Sequence, residues 1–92
     1  MSAFKKPLPF QIYSIEGERK EPLARCFFEA MEPSFMRVRI TSEYKPLEIG
    51  ADLSIEFIVA KDKYQFDSVI LSDVQNGFFL VRKPKVIYKR SL

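Results

Sequence analysis

Apolar and polar residues alternate over most of the chain. The clearest stretch runs from Leu53 to Val59: Leu53, Ile55, Phe57 and Val59 fall on one face of an extended strand, and Ser54 and Glu56 on the other. A short apolar approach, Pro46-Leu47-Glu48-Ile49, ends at Gly50 just before it. A second alternating run, Tyr64 to Leu71, follows after a few polar residues. Phe35 to Thr41 repeats the pattern, with Met36, Val38 and Ile40 inward and Arg37 and Arg39 outward. Phe10 to Ile15 reads as a first strand with Phe10 and Ile12 on one face, and Phe78 to Arg82 as a late one. Pro84 separates that late strand from Val86-Ile87-Tyr88. Several short alternating runs joined by turns predict an all-β domain, a small antiparallel barrel or sandwich.

The breakers set the joints. Gly17 and Pro22 mark a charged turn from Glu16 to Pro22, with Pro22 ending any ladder there. Glu32-Pro33-Ser34 is a turn, Ser42 to Pro46 a loop, and Asn76-Gly77 a strong turn signal. Lys61-Asp62-Lys63 closes a hairpin without glycine, which argues against a two-residue primed turn. Leu23 to Met31 fits two periods. Leu23, Phe27 and Ala30 have helical spacing, while Cys26, Phe28 and Ala30 alternate with Arg25, Phe27 and Glu29. A strand agrees with the rest of the chain, and one short helix near 22–31 is the alternative. The expected organisation is an arm at 1–8, one β-barrel domain at 9–88, and a tail at 89–92 that could begin a linker to a domain outside this chain.

Composition narrows the chemistry. Ninety-two residues with nine phenylalanines can build one core without metal or disulfide. Histidine is absent, which removes the usual general base and the commonest metal ligand. Cys26 is the single cysteine and its neighbours are Phe27 and Phe28, so a buried structural thiol is expected. Neither a phosphate-cradling glycine loop nor a nucleophile elbow is present. These features predict no catalytic, cofactor or metal residues. No apolar run approaches a membrane span, and the first residues carry lysines without an apolar segment behind them, so a cytoplasmic location is expected.

The formal charge is +3, from fifteen Lys and Arg against twelve Asp and Glu. Two basic groups stand out. Arg37 and Arg39 are either a solvated strand face or a contact for an anionic partner, since guanidinium forks suit carboxylates and phosphates. Arg82, Lys83, Lys85, Lys89 and Arg90 form the densest positive region, readable as edge protection or as a docking segment. The four tyrosines and the phenylalanines could stack on bases, although inward strand positions favour a core role for most of the phenylalanines.

From Arg25 onward the element order resembles the PilZ superfamily, the small β-barrels of bacterial cyclic-di-GMP signalling. The resemblance rests on the strand-loop-strand from Leu23 to Ile40, on Leu47-Glu48-Ile49-Gly50-Ala51-Asp52-Leu53-Ser54-Ile55-Glu56-Phe57, on the strand from Tyr64 to Leu71, and on Phe78 to Val81. Residues 45–92 are similar to the N-terminal companion domain of YcgR-type flagellar brake proteins, in which a final strand ends near a proline, here Pro84. The resemblance implies a six- to seven-stranded antiparallel barrel. The nucleotide-binding members carry two arginines four residues apart and an Asp/Asn-x-Ser-x-x-Gly turn. In this chain no two arginines are so spaced, and the matching turn is Glu32-Pro33-Ser34-Phe35-Met36-Arg37, with arginine in place of glycine. The loss of the arginine fork predicts that the chain alone does not bind cyclic-di-GMP well.

The expected function is therefore a non-catalytic regulatory or protein-interaction domain. Its partner would be a PilZ domain in cis or a component of motility, pili or secretion, contacted through Arg37, Arg39 and the segment Arg82 to Arg90. The alternative is a small β-barrel that binds RNA or single-stranded DNA. A carboxylate-only enzyme is a third reading for which no acidic pair recommends itself.

Overall fold

The computed structural model describes residues 8–91. The expected arm lies outside the described residues except for Leu8. Leu8 is buried, and its carbonyl accepts a hydrogen bond from the Phe28 N–H at 2.9 Å. The described chain is all β. Seven strands form one sheet: β1 (Pro9–Glu16), β2 (Arg19–Met31), β3 (Met36–Ile40), β4 (Asp52–Val59), β5 (Asp62–Val69), β6 (Phe78–Val81) and β7 (Tyr88–Ser91). Their order is β6-β3-β2-β1-β4-β5-β7, antiparallel throughout. No described helix is long and apolar enough to cross a membrane.

One sheet without a covering layer must hide its own apolar face. The inward residues are those of the period-2 pattern: Phe10 and Ile12 on β1, Cys26 and Phe28 on β2, Met36 and Val38 on β3, Leu53, Ile55 and Phe57 on β4, Phe66 on β5, and Phe79 and Val81 on β6. The sheet curls until distant strands meet. The Phe10 ring on β1 lies 6.1 Å edge-on from Phe66 on β5 and 5.3 Å from Phe57 on β4.

The curl does not make a closed barrel, in contrast to the sequence-based expectation. The flanks meet at a short seam, a single bridge between Ile70 and Val81. There the Leu71 N–H donates to the Leu80 carbonyl at 2.8 Å and the Arg82 N–H to the Val69 carbonyl at 3.0 Å. Beyond the seam the chain leaves the β5 ladder and returns as β7. From Val81 to Tyr88 it takes seven steps, against five from Ile70 to Gln65 on the facing strand. Pro84, which has no N–H to give a ladder, sits in that interruption. Lys89 to Ser91, expected in a tail, are part of β7.

The segment near 22–31 is strand, not helix, within a thirteen-residue β2. Two irregularities bend it. Ile12 faces Ala24 while Tyr13 faces Pro22, so Leu23 is an extra residue. Phe28 faces Val38 while Ala30 faces Arg37, so Glu29 is another. The first lets Pro22 stay in the strand instead of ending it, because a bulge tolerates a missing donor. The second turns Ala30 outward, opposite Arg37, instead of inward with Phe28.

The hairpins are tighter than the composition suggested at one position. Glu16 pairs with Arg19 across Gly17 at φ +62°. Gln75 and Phe78 exchange two backbone hydrogen bonds across Asn76 at φ 54° and Gly77 at φ +82°. Val59 pairs with Asp62, which leaves a two-residue turn of Ala60 and Lys61, and Ala60 holds φ at 56°. The turn expected at Lys61-Asp62-Lys63 to avoid the primed geometry thus adopts a left-handed first residue without glycine. An alanine there costs roughly 1–2 kcal/mol, partly offset by its stiffer unfolded chain. Ala60→Gly is accordingly expected to raise the unfolding free energy by about 0.5–1 kcal/mol in urea titration. An unchanged or lower midpoint would contradict the left-handed Ala60.

Candidate partner-binding surfaces

β3 is flanked by β2 and β6, so its outward side chains stand between two neighbours. Arg37 and Arg39 point outward because Met36 and Val38, in the alternate positions, are fully buried. The Arg37 guanidinium lies 5.9 Å from the Phe78 ring centre, and that of Arg39 lies 5.4 Å from Phe27. Arg39 also approaches Glu29, with Nε 3.7 Å from the carboxylate. The aromatic rings hold the two planar cations against the sheet and leave hydrogen-bond donors for an external anion.

The C-terminal basic group does not form one patch. Arg82 follows the seam and is half-buried. Its carbonyl accepts from the Ser68 hydroxyl at 2.6 Å, and its Nε is enclosed with no hydrogen-bond partner among the described residues. Lys83 reaches toward the Pro33 carbonyl at 3.4 Å, at the end of β3 where Arg37 lies. Lys85 is exposed in the interruption. Lys89 and Arg90 belong to β7, which pairs with β5 on the same side as the seam but farther along that strand. Of the expected contacts, the fold therefore sets Arg37 and Arg39 on the outer face of β3, brings Lys83 to the loop that precedes β3, and carries Lys89 and Arg90 farther along β5 on β7.

The sequence reading missed a carboxylate on the outer face. Glu56 on β4 receives Lys20 from β2 at 2.5 Å and Lys63 from β5 at 2.9 Å, with only 12% of its side chain exposed. Burial pushes its carboxyl upward, but the hydrogen bonds and charges of both lysines outweigh burial and hold it below its ordinary 4.5. Lys20 also sits 4.8 Å over the Tyr13 ring. This clamp edges a cavity of about 340 Å³ that Tyr88 and Arg90 line from β7. The signal existed in the alternation, which sends Glu56 outward, but the register that sets Lys20 and Lys63 beside it is a tertiary fact.

Other depressions on the outer face carry less chemistry. A groove of about 650 Å³ is lined by Tyr13, Arg25, Phe27, Ile58 and Lys63 among others. An open trough of about 700 Å³ lies between Pro22–Arg25 and Ser42–Lys45. Cys26 is buried as expected, and burial pushes its thiol up to about 12, so it is not a thiolate near neutral pH. Among the described residues no three His, Cys, Asp or Glu side chains are placed to hold a metal ion. No protein-family model matches the chain, and no curated protein or solved structure shows significant similarity to it.

The clamp gives a pH-dependent prediction. A depressed folded-state value means that Glu56 stabilises the fold fully above its ordinary 4.5 and loses that contribution as pH falls through the lower folded value. Glu56→Gln should be less stable than the parent by roughly 1 kcal/mol at neutral pH. In unfolding curves taken across acid pH, the gap between the two proteins should shrink as pH drops below 4.5. A gap that widens on acidification would contradict the clamp.

Proposed function

We propose that this chain is a non-catalytic, PilZ-like regulatory domain that acts by protein contact in bacterial cyclic-di-GMP signalling. Its partner is a nucleotide-binding PilZ domain or a cytoplasmic component of motility, pili or secretion. The observation that carries this reading is the outer face of β3. Two guanidiniums, Arg37 and Arg39, are seated on Phe78 and Phe27 with their forks available to an acidic surface. The buried, protonated Cys26 and the glutamate locked between two lysines support a scaffold role, since neither is free to act on a substrate. Placing the pair on strands keeps it in fixed geometry, as a relay between domains requires.

A second reading, nucleic-acid binding, draws on Tyr88, which is 58% exposed beside Lys89 and Arg90. The two readings separate experimentally. Calorimetry with a separately produced nucleotide-binding PilZ domain should show binding that the double variant Arg37→Glu/Arg39→Glu weakens by at least about tenfold. Titration of the chain with cyclic-di-GMP should show no micromolar binding. Tight nucleotide binding by the chain alone, or steeply salt-dependent gel shifts with oligonucleotides, would overturn the proposal.

A further inference from the structure

The end of the sheet at β7 differs from the end at β6. β6 has β3 on one side and the seam with Val69–Leu71 on the other. β7 has β5 on one side and no described strand on the other. All four of its residues are exposed, and half of its backbone donors and acceptors point away from β5. Just before it, Val86 and Ile87 are 56% and 40% exposed, so apolar surface adjoins the open edge.

The charges on this edge are incomplete in a specific way. Arg90 faces Lys63 directly across the β5–β7 ladder, and like charges in that position repel. Lys63 is satisfied by Glu56, and Lys89 reaches Asp62 at 3.5 Å. Arg90 has no carboxylate within ion-pair distance among the described residues. Across the outer face the side chains run Lys20, Glu56, Lys63, Arg90, so the alternation of sign fails at the last step.

A second copy of the chain does not mend this. Antiparallel pairing of Tyr88–Ser91 with itself sets Lys89 against Arg90. The neighbouring registers set Arg90 against Arg90 or Lys89 against Lys89. Each arrangement adds like-charge pairs. An extended segment with acidic side chains does the reverse: its backbone completes the ladder and its carboxylate meets Arg90.

We propose that β7 accepts an additional strand from an acidic, extended segment of a partner protein, with an Asp or Glu side chain facing Arg90. This rests on the protein-contact reading above and names a partner class and a binding mode for a surface separate from the β3 arginines. Backbone pairing supplies the affinity, and the carboxylate–Arg90 contact supplies the selectivity.

Three end-blocked octapeptides serve as probes of the isotope-labelled full chain: alternating Glu and Val, alternating Lys and Val, and the Glu/Val peptide N-methylated at alternate residues. The Glu/Val peptide should bind and slow hydrogen exchange at those β7 amides not bonded to β5. N-methylation should weaken binding by at least about tenfold, and so should Arg90→Glu, which should also reverse the preference toward the Lys/Val peptide. Three results would overturn the proposal: no binding of the Glu/Val peptide at low salt, binding that N-methylation leaves unchanged, or self-association through the same amides. Shifts of equal size with inorganic phosphate would reduce the edge to a simple anion site and overturn it as well. If the peptides fail while the PilZ domain still binds through Arg37 and Arg39, the edge is refuted and the function stands. If the peptides bind and the PilZ domain does not, the edge stands and the PilZ domain is refuted as the partner of Arg37 and Arg39.

Discussion

The packing of Phe10 against Phe28, Phe57 and Phe66 holds this molecule in its shape. The four rings come from β1, β2, β4 and β5, and the other three centres lie between 5.3 and 6.2 Å from that of Phe10. A lone sheet cannot stay flat in water with one apolar face uncovered. Fully burying a phenylalanine contributes on the order of 2–3 kcal/mol, which is large against the marginal net stability of a small domain. The gain is available only if the sheet curls tightly enough for β1 to touch β5. The extra residues Leu23 and Glu29 on β2 supply the bend, and the seam at Ile70 and Val81 fixes where it ends.

The curl also sets what lies outside. The alternate positions of each strand turn to the convex face, and their order across the sheet becomes an order of charges. Arg37 and Arg39 gain aromatic seats because β2 and β6 flank β3. Glu56 gains two lysines because β2 and β5 lie on either side of β1 and β4. The outer Ser54 is buried although it is polar, because the Gln65 side-chain amide donates to it at 2.9 Å and covers it. The contacts of Arg37, Arg39 and Lys20 join distant parts of the chain, while those of Lys63 and Gln65 cross the β4–β5 hairpin. They follow from register, which the hydrophobic face fixes to within one residue.

That distinction separates what could be read in the sequence from what could not. The face assignments of Met36, Val38, Leu53, Ile55 and Phe57 were legible, because burial on one face imposes a period of two. Gly17 and Asn76-Gly77 were legible as turns, because left-handed backbone selects those residues. Ala30 was misassigned, because a bulge at Glu29 shifts the phase and leaves no mark in the composition. Pro22 was read as a break, yet a bulge absorbs a missing donor. Ala60 was unreadable, since the tight β4–β5 ladder imposes a backbone angle the residue itself disfavours. The basic cluster near the end was visible as charge, but Pro84 and the interruption space its members out along β5.

The central claim is a sheet curled about the Phe10 cluster, joined at one seam and open at β7. Amide hydrogen exchange tests it most directly. The account predicts strong protection for Leu71 and Arg82, which bond across the seam, and for Ile70, which bonds to the Ala51 carbonyl at 3.1 Å. It predicts rapid exchange for the outward amides of Tyr88–Ser91. Fast exchange at Leu71 and Arg82, with protection on both sides of β7, would contradict it.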